Sequence, residues 1–245
     1  MIRSLEELAF NAWPSLQTLL YDGWVLRFAD GYTKRANSAN PLYYSGTDVT
    51  RKIETCEKLY RGQGLKVVFK MTPVSQPEGL DSFLAAQGYQ VDSPTSVQLL
   101  DMSAWNQPTT TPDAVYCESL TEEWFSAFCE LGSVDPQRQL TARRLLQLIV
   151  SAKGLAAIRQ NGHVVACGLG VLQDGFVGLF DIVVDRRFRR QGHGRQLVQS
   201  LLAWGQHQAA HTAYLQVMLN NEPALRLYST LGFQEKYQYW YRVKE

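Results

Sequence analysis

Apolar and polar positions alternate so regularly in the second half of this chain that most of its elements can be read directly. Apolar residues recur at helical spacing over Glu122–Leu131 and Gln137–Ser151. Thr121 stands where the first helix needs an N-cap, and Asp135-Pro136 suits the start of the second. Strand-like runs follow over Leu155–Arg159, Val164–Leu172 and Phe176–Val184. Asn161-Gly162 and Asp174-Gly175 separate them, and such pairs accept the positive φ angles of a tight hairpin turn. An amphipathic run, Gln196–Ala210, predicts a helix, Thr212–Leu219 a strand, Pro223–Leu231 a helix and Phe233–Val243 a last strand. The order ααβββαβαβ predicts an α/β (α+β) fold with a mixed central sheet, antiparallel at first and with a crossover later.

The first half carries a fainter version of the same pattern. Trp24–Phe28 reads as a strand, and Gly64–Gln90 runs strand, polar turn with proline, helix, Gly-aromatic-Gln. Thr212–Gln234 repeats that order. Aligning Gly88-Tyr89-Gln90 on Gly232-Phe233-Gln234 sets Leu84 against Tyr228. The expected organisation is two tandem copies of one unit, the first degenerate. Ser103–Asp113, polar with two prolines, reads as the connection. The expected limits are 1–102 for the first domain, 103–112 for the linker and 113–245 for the second. The polar cluster Arg35–Asn40 has two readings, the lining of a cleft or a turn that satisfies its own backbone.

Composition narrows the class. The chain has 245 residues, 45% of them hydrophobic, and 24 Lys+Arg against 23 Asp+Glu. A net charge of +1 argues against an extended nucleic-acid footprint. The first ten residues lack a signal peptide's apolar centre, and the longest apolar candidate, Leu145–Ile158, is broken by Gln147, Lys153 and Gly154. A cytoplasmic protein without membrane contact is expected. The four cysteines show no Cys-x-x-Cys pair and read as reduced thiols. His207 and His211 have zinc-protease spacing, but Gln208 stands beside His207 where that motif has its glutamate, so no metal is expected.

The chemistry concentrates after Val184. Five arginines lie between Arg186 and Arg195, and Gly192 and Gly194 open the following helix. Free N–H groups and the dipole of a helix start attract anions, and glycine brings the backbone close to them. A phosphate-bearing ligand is therefore expected. A Walker A loop does not fit, and a Rossmann fingerprint fails at Leu197, where a third small residue is needed.

Arg189-Arg190-Gln191-Gly192-His193-Gly194 resembles the Gln/Arg-x-x-Gly-x-Gly/Ala signature of the GCN5-related N-acetyltransferase (GNAT) family. The strand end Ile182-Val183-Val184-Asp185 resembles that family's as well, and so does the later block holding Asn221, Ala224, Leu227, Tyr228, Leu231, Gly232 and Phe233. The resemblance covers about residues 113–245 and is most specific in the last seventy or so.

It implies acetyl-coenzyme A, or another acyl-coenzyme A, as co-substrate, and an amine on a small molecule or peptide as acceptor. By the resemblance, backbone groups of Ile182, Val183 and Val184 pair with the pantetheine amides. The amides from Arg190 through Gln191, Gly192, His193 and Gly194 to Arg195 hold the diphosphate, with charge from Arg189, Arg190 and Arg195. Asn221 bonds the cofactor arm, caps its helix or does both, and Tyr228 protonates the departing thiolate. Some relatives carry a glutamate five residues before the asparagine; Gln216 stands there and cannot take a proton. This leaves Asp181, on the strand entering the signature loop, as the best remaining carboxylate for a base, acting directly or through water, the alternative being that it only hydrogen-bonds a neighbouring loop. Cys167 sits in a sequence that reads as strand packing. That glutamine and the worn first half leave open a second reading, a catalytically silent coenzyme A-binding or partner-binding module.

Overall fold

Backbone contacts in the computed structural model, which describes residues 1–44, 46, 48–103, 105 and 114–244, divide the chain into two units. One is Met1–Ser96 with the residues from Tyr237 onward; the other is Val97–Lys236. Most of the connection expected at 103–112 lies outside the described residues.

Unit 1 contains α1 (Ile2–Ala12), β1 (Gln17–Tyr21), β2 (Trp24–Phe28), β3 (Ala39–Asn40), α2 (Val49–Gly62), β4 (Val67–Met71) and α3 (Leu80–Ala86). β1 and β2 form a hairpin, β2 and β3 pair antiparallel, and β3 and β4 run parallel across α2. Trp24, Phe28, Tyr60, Phe69, Leu84 and Tyr89 fill its core. The Arg35–Asn40 cluster takes the turn reading. Asn37 Oδ1 accepts from the Ala29 and Gly31 amides at 2.7 and 3.0 Å, and its Nδ2 donates to the Ala29 and Thr33 carbonyls.

A charge pair is sunk in this unit. Lys70 Nζ lies 2.5 Å from Glu6 Oε2 and 4.0 Å from the Tyr239 ring centroid, while the Tyr237 hydroxyl donates to Glu6 Oε1. Both charged side chains are almost wholly buried. Removing one member strands the other without water, a loss of about 3–5 kcal/mol. Lys70→Met is expected to destabilise the fold by that amount in urea titrations, and Glu6→Leu added to it should recover part of the loss.

The next strand, β5 (Gln90–Asp101), leads from unit 1 into unit 2. There follow β6 (Ala114–Cys117), α4 (Glu122–Leu131), α5 (Pro136–Gln147), β7 (Ala152–Gln160), β8 (His163–Gln173), β9 (Phe176–Val184), a 3₁₀ turn (Arg186–Phe188), α6 (His193–His207), β10 (Thr212–Met218), α7 (Glu222–Thr230) and β11 (Gln234–Lys244). Within unit 2 the strands lie in the order β10-β9-β8-β7-β6, with β9 and β10 parallel and the others antiparallel. Both units thus send a helix over the sheet from the last strand of an antiparallel pair to a parallel neighbour, as the tandem reading requires.

Local chemistry sets the boundaries. Asn161-Gly162 and Asp174-Gly175 all have positive φ, as their hairpins need. Thr121 and Asp135 cap α4 and α5 with their side chains. α5 stops at Gln147, short of the expected Ser151, and Lys153 Nζ takes up the carbonyls of Leu146 and Ile149. α6 starts at His193, three residues before the expected start, because Gly192 adopts the left-handed conformation that turns the chain into the helix. It ends at His207, and the positive φ of Ala209 follows. β6 was not anticipated; four residues beside a proline-threonine run carry too little pattern. Leu197, Val198, Leu201 and Leu202 of α6 pack on Val165, Val177, Leu179 and Leu215 to make the core.

Candidate active site

The parallel ladder between β9 and β10 pairs Phe176–Leu179 with Thr212–Leu215 and then stops, although β9 continues to Val184 and β10 to Met218. The cause lies in β9. Opposite β8, Leu169 pairs with Phe180 and Cys167 with Val183, so Asp181 and Ile182 together face Gly168. Asp181 has φ +49°, which makes this a β-bulge that bends the strand. β9 and β10 therefore fork, leaving the backbone of Ile182, Val183 and Val184 without a ladder partner on that side among the described residues.

Gly168 makes room for the bulge: a Cβ there would lie 2.7 Å from Ile182 Cδ1 and 3.3 Å from Leu197 Cδ2. Gly168→Ala is expected to cost about 1–3 kcal/mol, seen as a melting temperature lower by several degrees. An unchanged melting temperature would mean that Ile182 repacks freely.

The free edge of β9 leads into the arginine loop and the start of α6. No side chain among the described residues caps this helix, and its first turn holds no carboxylate. The Gln196 amide is the first to bond back, to the Gly192 carbonyl, so the amides of His193, Gly194 and Arg195 precede the helical ladder. Gly192 has φ +90° and open space where a Cβ would stand. Several polar groups of the loop are engaged within it. Arg187 pairs with Asp185 at 2.6 Å, Arg189 Nε donates to the Val184 carbonyl, Gln191 donates to the Arg187 carbonyl, and Arg195 donates to Thr230 Oγ1. Arg186 and Arg190 are exposed and make no such bond among the described residues.

Tyr228 lies on α7 with its ring in the core, edge-on to Phe233 at 5.8 Å. Its hydroxyl makes no hydrogen bond among the described residues, and burial alone pushes its pKa up to about 12. Asn221 caps α7, its Oδ1 accepting from the Ala224 amide at 3.4 Å. Gln216 is half-buried on β10, beyond the end of the ladder. Cys167 is fully buried; burial first, then the Asp181 carboxylate, push its thiol far above the ordinary range. A buried, protonated thiol is a poor nucleophile, in keeping with the strand-packing reading of Cys167. His207 closes α6, and the His211 ring packs edge-on against Phe176 at 5.0 Å. No cluster of three or more metal-ligating side chains occurs among the described residues.

Unit 1 departs from this plan at both corresponding places. The Asp48 carboxylate caps α2, accepting from the Arg51 amide at 3.0 Å, so an internal anion holds that helix start. Beyond β3 and β4 the chain closes again, the Gln76 amide donating to the Pro41 carbonyl at 2.8 Å.

A mixed sheet whose parallel pair forks beside an uncapped helix start defines the acyl-coenzyme A N-acyltransferase fold. The chain belongs to the family whose model is described as "Probable histone acetyltransferase Rv0428c C-terminal", which matches residues 1–242, and is an N-acetyltransferase of the GNAT class. The uncharacterized N-acetyltransferase YobR of Bacillus subtilis is 29% identical over 249 residues, 99% of this chain and 98% of its own. A GCN5-related N-acetyltransferase from Kribbella flavida superposes with a TM-score of 0.73 at 18% identity, covering 99% of this chain and 95% of that one. A tandem GNAT protein from the clavulanic acid biosynthesis pathway gives 0.65 at 15% identity, covering 98% and 87%. No described helix is long and apolar enough to cross a membrane.

Proposed function

We propose that unit 2 binds acetyl-coenzyme A in the fork between β9 and β10 and transfers the acetyl group directly to an amine. The observation that carries this reading is the continuity of the free edge of β9 with the uncapped start of α6. An extended amide-bearing arm adds to the edge as a strand would. The diphosphate at its far end then meets the His193, Gly194 and Arg195 amides, with Arg190, which makes no ion pair among the described residues, beside them.

The amine nitrogen attacks the thioester carbonyl, the C–N bond forms and the C–S bond breaks. Holding both reactants in one cleft removes much of the entropic cost. The proton lost by the amine passes to Asp181, directly or through one water. Tyr228, protonated at neutral pH, gives a proton to the leaving sulfur and is then reprotonated from solvent. Unit 1, with Asp48 on its helix start, takes no second nucleotide. In a calorimetric titration with acetyl-coenzyme A, one molecule should bind per chain, and a panel of small amines and peptides should then release free thiol. Binding with no turnover on any acceptor would favour the silent module instead.

A further inference from the structure

We infer that the rings of Phe180 and Tyr214 fix the length of the acyl group, admitting acetyl and turning away longer chains. The inference rests on the acyl-coenzyme A reading given above. An arm anchored at the start of α6 runs back along Val184, Val183 and Ile182, so its reactive end arrives where the ladder closes at Leu179 and Leu215. The first residue of β9 past that closure is Phe180. Tyr214 is the register partner of Gly178, one pair inside the closure.

Both rings converge on the same spot. A Cβ placed on Gly178 would lie 2.5 Å from Tyr214 Cζ and 2.6 Å from Phe180 Cε2, so the two side chains occupy the space that glycine leaves. Their centroids are 5.9 Å apart at 85°, an edge-to-face pair. Each ring is only 2% exposed. On this face the two rings lie directly on backbone at Gly178, one register pair inside the point where the ladder closes. An acetyl methyl ends before them; each further methylene has to displace an aromatic ring from a packed position. Excluding a methylene from a closed apolar pocket is worth about 10- to 200-fold in discrimination.

The test is a calorimetric series on the full chain with free coenzyme A and its acetyl, propionyl, butyryl and hexanoyl thioesters. Wild type should bind butyryl-coenzyme A at least 10-fold more weakly than acetyl-coenzyme A. Tyr214→Val should bring the two within about threefold, and Tyr214→Phe, which keeps the ring, should retain the wild-type ranking. Phe180→Leu, a milder change, decides the matter if Tyr214→Val fails to fold. A wild-type series that is flat from acetyl to hexanoyl, with free coenzyme A still bound, overturns this inference alone. A ranking unchanged in the folded ring variants does the same. Failure of wild type to bind free coenzyme A overturns the parent reading as well.

Discussion

Gly192→Asp is expected to weaken acetyl-coenzyme A binding by 100-fold or more while leaving the melting temperature within a few degrees. The start of α6 presents amides without a capping side chain, and the space over Gly192 is open. α2 shows the alternative within the same chain: there Asp48 satisfies the helix start with its own carboxylate. Moving that solution to α6 sets a negative charge where the diphosphate has to sit. Two unit charges about 5 Å apart repel by about 3 kcal/mol at an effective dielectric near 20, which corresponds to more than 100-fold. The fold itself loses little. The φ of +90° costs a side chain about 1–2 kcal/mol, partly offset by attraction between the carboxylate and the helix dipole. Gly192→Asn has the same shape without the charge and carries the same backbone strain. Equal affinities for the Asn and Asp variants would show that no anion is held at this helix start.

What sequence reveals about this molecule follows from how local each determinant is. The caps Thr121 and Asp135, the two positive-φ hairpin turns and the Gly192 signature are short-range chemistry, and each was legible in a few residues. The bulge was not. It depends on Gly168, on β8, offering no side chain to Ile182, on β9, a relation that exists only once the two strands pair. Asp181 was legible as a carboxylate near the signature, but not as a residue with φ +49° that splays the sheet. Phe180, Tyr214 and Gly178 read simply as strand residues, because their meaning lies in the contact between neighbouring strands. A glycine inside an otherwise apolar strand was the available clue, since such a position often marks close approach by a neighbour. The burial of the Glu6–Lys70 pair was equally hidden, because its members are 64 residues apart.

Tyr228→Phe should lower kcat by about 100-fold or more with the dissociation constant for acetyl-coenzyme A unchanged, the range expected when one positioned proton donor is lost. A structural tyrosine would give a different signature. Losing a hydroxyl that holds a buried hydrogen bond costs stability, whereas the Tyr228 hydroxyl has no such bond among the described residues, so the Phe variant should melt no lower than wild type. The pH profile supplies a second, independent readout. Burial raises the Tyr228 pKa from its ordinary 10 to about 12, so the proton-bearing form is the folded protein's dominant form well above pH 10. Wild-type activity should therefore rise as the acceptor amine loses its proton and then hold level through pH 10.5, with no fall at the ordinary tyrosine value. In the Phe variant the slow step becomes departure of an unprotonated thiolate, and the rate should depend on the acidity of added thiol-protonating buffers. Unchanged kcat in a folded Phe variant would remove Tyr228 from the reaction and leave solvent to protonate the sulfur.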